Sequence, residues 1–169
     1  MNAEELAERF NMAEHPENGA FLERHYESSE ARAASGSIYY YVAPGEKTKF
    51  HKIDCDEYWC YTEGADLEVW MIDEENGAVS VSSIGTGESA VPFVYVRKGT
   101  IFASRHAGAS GGTAETASAG ASSGSESGTS EGTFLVCITV PRFTYEGFTL
   151  IEDDEIKSRF PDAAGFFGD

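Results

Sequence analysis

Residues 45–64 read GEKTKFHKIDCDEYWCYTEG, and Gly45, His51, Ile53, Glu57 and Gly64 hold fixed offsets within them. Side chains alternate faces along a strand, so His51 and Ile53 are expected to point into one interior. A turn after Ile53 then brings Glu57 back to that interior, and Gly64 suits the tight turn closing the hairpin. From Glu57 the same alternation puts Trp59 and Tyr61 on its face and Cys60 on the opposite one. The stretch therefore predicts a β-architecture with an imidazole and a carboxylate inside it, paired with each other because buried charge is costly alone.

The flanking sequence extends this β pattern. SIYYYV at 37–42 is β-branched and aromatic, bounded by Gly36 and Pro44. Further strands are expected at 49–53, 57–61, 67–72, 78–83, 93–96, 101–104, 133–140 and 148–151, with an edge strand at 21–26. Turn residues such as Glu75-Asn76-Gly77 and Gly85-Thr86-Gly87 separate them. Many short strands at regular spacing point to a sandwich or barrel rather than a parallel sheet. Short helices are expected at 2–10, capped by Asn2, and at 153–160, stopped by Pro161. His15 to Gly19 is turn chemistry, and His15 and His25 read as surface or turn residues. Residues 107–132 contain no aromatic, Val, Ile or Leu. Such a segment cannot bury apolar area to offset ordering entropy, so it reads as a flexible low-complexity insertion in a single domain spanning 1–169.

The chain has 169 residues and a formal charge of −17, from 29 acidic and 12 basic side chains. Nucleic acid and anionic membrane select for clustered Lys and Arg, so neither is expected as a partner. No apolar run approaches a membrane span, and MNAEELAERF carries charges where a signal peptide needs an apolar stretch. Cys55, Cys60 and Cys137 form an odd count without framework spacing, which suits a reducing, cytoplasmic setting.

Five ordered blocks carry a family resemblance. HPENGAF (15–21), SIYYYV (37–42), FHKIDCDEYWCYTEG (50–64), VRKGTIFAS (96–104) and VCITVPRFTYEGFTL (136–150) resemble successive motifs of a cupin-superfamily branch. That branch is the domain-of-unknown-function 985 branch (Cupin_5). The 45–64 offsets are similar to the cupin signature G-x5-H-x-H-x3-E-x6-G, with Ile53 in place of its second histidine. Phe102 stands where a histidine falls in the second signature, and Cys60 where the branch commonly carries one. The resemblance implies an all-β double-stranded β-helix, the cupin jelly roll, with short N- and C-terminal helices, and a homodimer. It implies no settled reaction.

Three functions follow as expectations. The first is binding of a small polar or carbohydrate-like molecule by His51, Glu57, Tyr39, Trp59, Tyr61 and Phe102, since aromatic walls with a few convergent polar groups build ligand sites. The bland counterpart is that the aromatics simply fill a narrow barrel. The second is a metal-independent sugar epimerase or isomerase with His51 as base and Glu57 orienting it. The third is a metal-dependent oxygenase, but a stable metal site wants about three protein ligands, and Ile53 and Phe102 remove two. No metal and no other cofactor is expected.

Overall fold

The computed structural model describes residues 3–18, 20–26, 32–106 and 131–168; residues 107–130 of the expected insertion and the cap at Asn2 lie outside them. After helix α1 (Ala3–Phe10) the chain forms β1 (Ala13–Glu14), β2 (Ala20–Tyr26), β3 (Gly36–Val42), β4 (His51–Ile53), β5 (Asp56–Gly64) and β6 (Leu67–Ile72). It continues through β7 (Val79–Ile84), β8 (Phe93–Val96), β9 (Ile101–His106), β10 (Thr133–Val140), β11 (Phe148–Leu150) and helix α2 (Asp153–Arg159). The strands make two antiparallel sheets, one ordered β1-β2-β3-β10-β5-β8 and the other β11-β4-β9-β6-β7.

One expectation is corrected here. β4 and β5 are consecutive but lie in different sheets, so His51 and Glu57 face each other across the interior rather than along a hairpin. Gly64 ends β5 with φ +107°, and a Cβ there would come within 2.0 Å of the Gly132 carbonyl oxygen. That position admits glycine because both conformation and space exclude a side chain.

Alternation sorts the apolar residues into layers. Between the sheets lie Tyr40, Val42, Ile53, Trp59, Leu67, Val69, Phe102 and Leu135, all buried. Outside the five-stranded sheet, Phe50, Ile72, Ile101 and Ala103 pack against Ile156, Phe160 and Phe166. α2 suits that place: it buries Ile156, starts on Asp153, Asp154 and Glu155, and ends on Lys157 and Arg159, matching the helix dipole. Pro161 stops α2 and opens a 3-10 turn (Pro161–Phe166), whose Phe166 ring lies 4.6 Å from that of Phe50. Outside the six-stranded sheet, Leu6 and Phe10 of α1 cover Tyr39, Tyr41 and Phe134.

Candidate functional site

The inter-sheet space is not filled along its whole length. At the end where β3 and β5 begin and β10 finishes, a cavity of about 380 Å³ opens between the sheets. Its floor carries His15, Glu17, His51 and Glu57, its walls include Ile38, Cys137 and Thr139, and Arg142 to Glu146 form its mouth. Register explains the convergence: Thr139 is opposite both Gly36 and Glu57 in the sheet, so these three side-chain positions meet. The mouth segment is fixed by two bonds. The Phe143 N–H donates to Thr139 Oγ1 at 3.0 Å, and the Arg142 N–H to the Ala33 carbonyl at 3.0 Å.

His51 is 2 % exposed and both ring nitrogens are engaged. Nδ1 lies 2.9 Å from the Lys49 carbonyl oxygen, which accepts only, so Nδ1 donates. Nε2 lies 2.8 Å from Glu17 Oε2. A ring donating from both nitrogens is an imidazolium. Burial opposes that charge, but Glu17 outweighs it and raises the His51 pKa. Burial likewise opposes the Glu17 carboxylate, and His51 outweighs it and lowers the Glu17 pKa. The two therefore form a buried ion pair.

Glu17 is the residue that sequence reasoning passed over, and it replaces Glu57 as the hydrogen-bonded partner of His51. Its placement is local and well held. The Lys49 N–H donates to the Glu17 carbonyl at 2.8 Å, and the Tyr40 hydroxyl donates to the Asn18 carbonyl at 2.7 Å. Asn18 sits at φ +79°, a conformation asparagine tolerates, and its side-chain amide donates to the Lys47 carbonyl at 3.0 Å. His15 is likewise no surface residue: its side chain is 8 % exposed, with Nδ1 3.7 Å from Glu17 Oε1. Burial, with Glu17 opposing, holds its pKa below the ordinary value. The signal for both was the HPENGAF block itself, where a turn was legible but its docking onto β4 was not.

Glu57 is 8 % exposed and lies on the cavity floor as expected. Burial first, and then the charge of Glu17, pushes its pKa from 4.5 up to about 7, against the opposing influence of the Trp59 indole and His51. The Trp59 Nε1–H makes no well-formed hydrogen bond, so its effect on Glu57 is one of proximity.

The other expected lining residues lie elsewhere. Trp59 and Phe102 are fully buried behind the floor, with Phe102 4.1 Å from the His51 ring and 6.1 Å from Trp59. Tyr61 packs beside the inter-sheet core farther along β5, and its hydroxyl donates to the Gly64 carbonyl at 2.6 Å. Tyr39 points outward, 4.9 Å from Phe10. None of the four lines the cavity.

The donors do not suit a metal ion. Glu17 and the Lys49 carbonyl occupy both nitrogens of His51, Ile53 and Phe102 offer no ligand atom, and no group of three or more His, Cys, Asp or Glu among the described residues is placed to hold one. Cys55, Cys60 and Cys137 are free thiols. No helix among the described residues is long and apolar enough to cross a membrane.

Two antiparallel sheets enclosing a polar cavity at one end define a cupin jelly roll. The family model described as Cupin superfamily (DUF985) matches residues 4–151, and the chain belongs to that family. It is similar to a crystal structure of a protein from Shewanella oneidensis (TM-score 0.79, 22 % identity, covering 99 % of this chain and 95 % of that one). It is also similar to a hypothetical protein from Leishmania major (TM-score 0.75, 21 % identity, covering 96 % and 94 %). Oxalate decarboxylase from Bacillus subtilis shares the fold more distantly (TM-score 0.56, 12 % identity), and the match covers 92 % of this chain but 36 % of the enzyme. No curated protein matches the chain.

Proposed function

We propose that the chain binds a small polar, carbohydrate-like molecule in the cavity floored by His15, Glu17, His51 and Glu57. The observation that carries this reading is the convergence of four ionisable side chains on one 380 Å³ cavity beside an apolar inter-sheet core. Buried ionisable groups are costly, and packing alone does not call for them. Cavities that combine apolar walls with a few convergent polar groups are how small-molecule sites are built.

A second reading, proton transfer within an isomerase or epimerase, is favoured by one feature. Glu57 titrates near neutral pH, where a general acid–base group is most effective. In that reading the role given to His51 passes to Glu57, because both nitrogens of His51 are already donating.

Thermal-shift screening with neutral sugars, polyols, small carboxylates and small amines tests the binding reading. Ile38→Trp, which enlarges a side chain on the inward face of β3 that lines the cavity, should abolish every stabilising hit while leaving the fold intact by circular dichroism. Hits that survive that substitution would place binding elsewhere and refute the reading.

A further inference from the structure

The cavity floor is not balanced in charge. Glu17 and His51 satisfy each other at 2.8 Å, and His15, kept neutral by burial, stands 3.7 Å from the second Glu17 oxygen. That leaves two carboxyl groups for one imidazolium. Glu57 is the surplus acid: it is 8 % exposed, faces the cavity beside the uncharged Trp59 indole, and makes no ion pair with a described residue. Arg142 is in the lining but on the mouth segment. A buried carboxylate is stabilised by a cation that donates hydrogen bonds to it. No described residue supplies one, and the group that completes Glu57 is taken to come from outside.

Two further observations favour a positive group. Phe143 and Tyr145, whose ring centroids are 5.2 Å apart, both line the cavity, and aromatic faces attract cations. The chain as a whole carries −17, a field that concentrates cations at its surface.

Resting on the reading of this cavity as a binding site, we propose that its ligand is a small polar molecule bearing a protonated amine, and that the ammonium pairs with Glu57. Glu57 is then the residue that selects an amine over the matching alcohol, while Thr139 and the mouth residues meet the uncharged polar body.

Isothermal titration at pH 8 with two matched pairs tests this: glucamine against sorbitol, and ethanolamine against ethylene glycol. The expected result is that at least one amine binds at least about tenfold more tightly than its alcohol. In Glu57→Gln, checked for folding by circular dichroism, that preference should fall to about twofold or less. An amine preference that persists in Glu57→Gln would reflect general attraction to an acidic surface and overturn the proposal. Equal or tighter binding of the alcohols, lost in Ile38→Trp, would overturn it while leaving the cavity reading intact. Failure of all four probes refutes the amine proposal. Only failure of the wider thermal-shift panel as well would remove the binding site itself.

Discussion

Phe50 and His51 are neighbours in the chain and face opposite sides of the same sheet. Phe50 enters an outer layer of Ile, Ala and Phe side chains, with the rings of Phe166 and Phe167 at 4.6 and 6.0 Å. His51 enters the cavity floor, held at one nitrogen by a carboxylate and at the other by a carbonyl. Both are buried to within 2 % of completely. The first side is stabilised by removing apolar area from water and by close packing. The second is stabilised only if every charge finds its counterpart, and there the described residues leave one acid, Glu57, over. One strand can thus carry close apolar packing on one face and, on the other, a buried acid with no counter-ion among the described residues.

The largest expected effects come from breaking each side by its own mechanism. Phe50→Ala removes a buried ring and should cost about 3–5 kcal/mol, nearly independent of pH. Glu17→Ala leaves His51 buried without its carboxylate and should cost a similar amount, about 3–5 kcal/mol, but with a pH dependence. The Glu17 pKa is lowered from 4.5, so its contribution is present above 4.5 and lost as pH falls through the folded value. The His51 pKa is raised from 6.5, so its contribution is full below 6.5 and lost as pH rises through the folded value. The Glu17→Ala penalty should therefore peak between pH 4.5 and 6.5 and shrink in alkali, as measured by urea unfolding across pH. A penalty as flat as that of Phe50→Ala would show that Glu17 acts through packing and dissolve the contrast.

Glu57 sharpens the contrast at intermediate size. Its pKa rises from 4.5 to about 7 on folding, so the folded state holds that proton more tightly. Stability is consequently lost as pH climbs from 4.5 to 7, by about 3 kcal/mol in total, and stays lost above 7. Glu57→Gln should match the wild type near pH 4.5 and exceed it at pH 8 by about that amount. An equal or lower stability at pH 8 would mean that the carboxylate is compensated within the protein, and that no surplus acid exists.

The fold was largely legible because its signals are local. Period-two alternation and Gly/Asn turns marked nearly every strand, and the parity of 51, 53, 57 and 59 correctly turned them inward. What alternation does not encode is depth. At about 3.4 Å per residue, Tyr61 lies about 14 Å along the strand from Glu57, beyond a cavity confined to one end. Tyr39, Tyr40 and Tyr41 are all aromatic, so composition could not say that Tyr40 alone turns inward. The Glu17–His51 contact depends on a turn folding back onto β4 through the bond from the Lys49 N–H to the Glu17 carbonyl, a pairing that no periodicity announces.

The smallest effect should come from the segment that joins neither face. β9 ends at His106 and β10 begins at Thr133, and His106 Nε2 lies 3.0 Å from Thr133 Oγ1, so a short chain can connect the two strands. Residues 108–130 include no aromatic, Val, Ile or Leu that either apolar layer would miss. Replacing them with a Gly/Ser linker of about six residues shortens the connection by roughly two halvings, which lowers loop-closure cost by about 1 kcal/mol. The melting temperature should then rise by a few degrees, about 2–4 °C. Ligand binding should be unaffected, because the cavity lies at the end of the sandwich formed by the starts of β3 and β5, whereas the replaced segment joins the end of β9 to the start of β10, beside the end of β5 at Gly64. A fall of about 10 °C or more would mean that these small polar residues add packing the composition does not suggest, and that the division of stability between an apolar layer and a charged floor omits a third part.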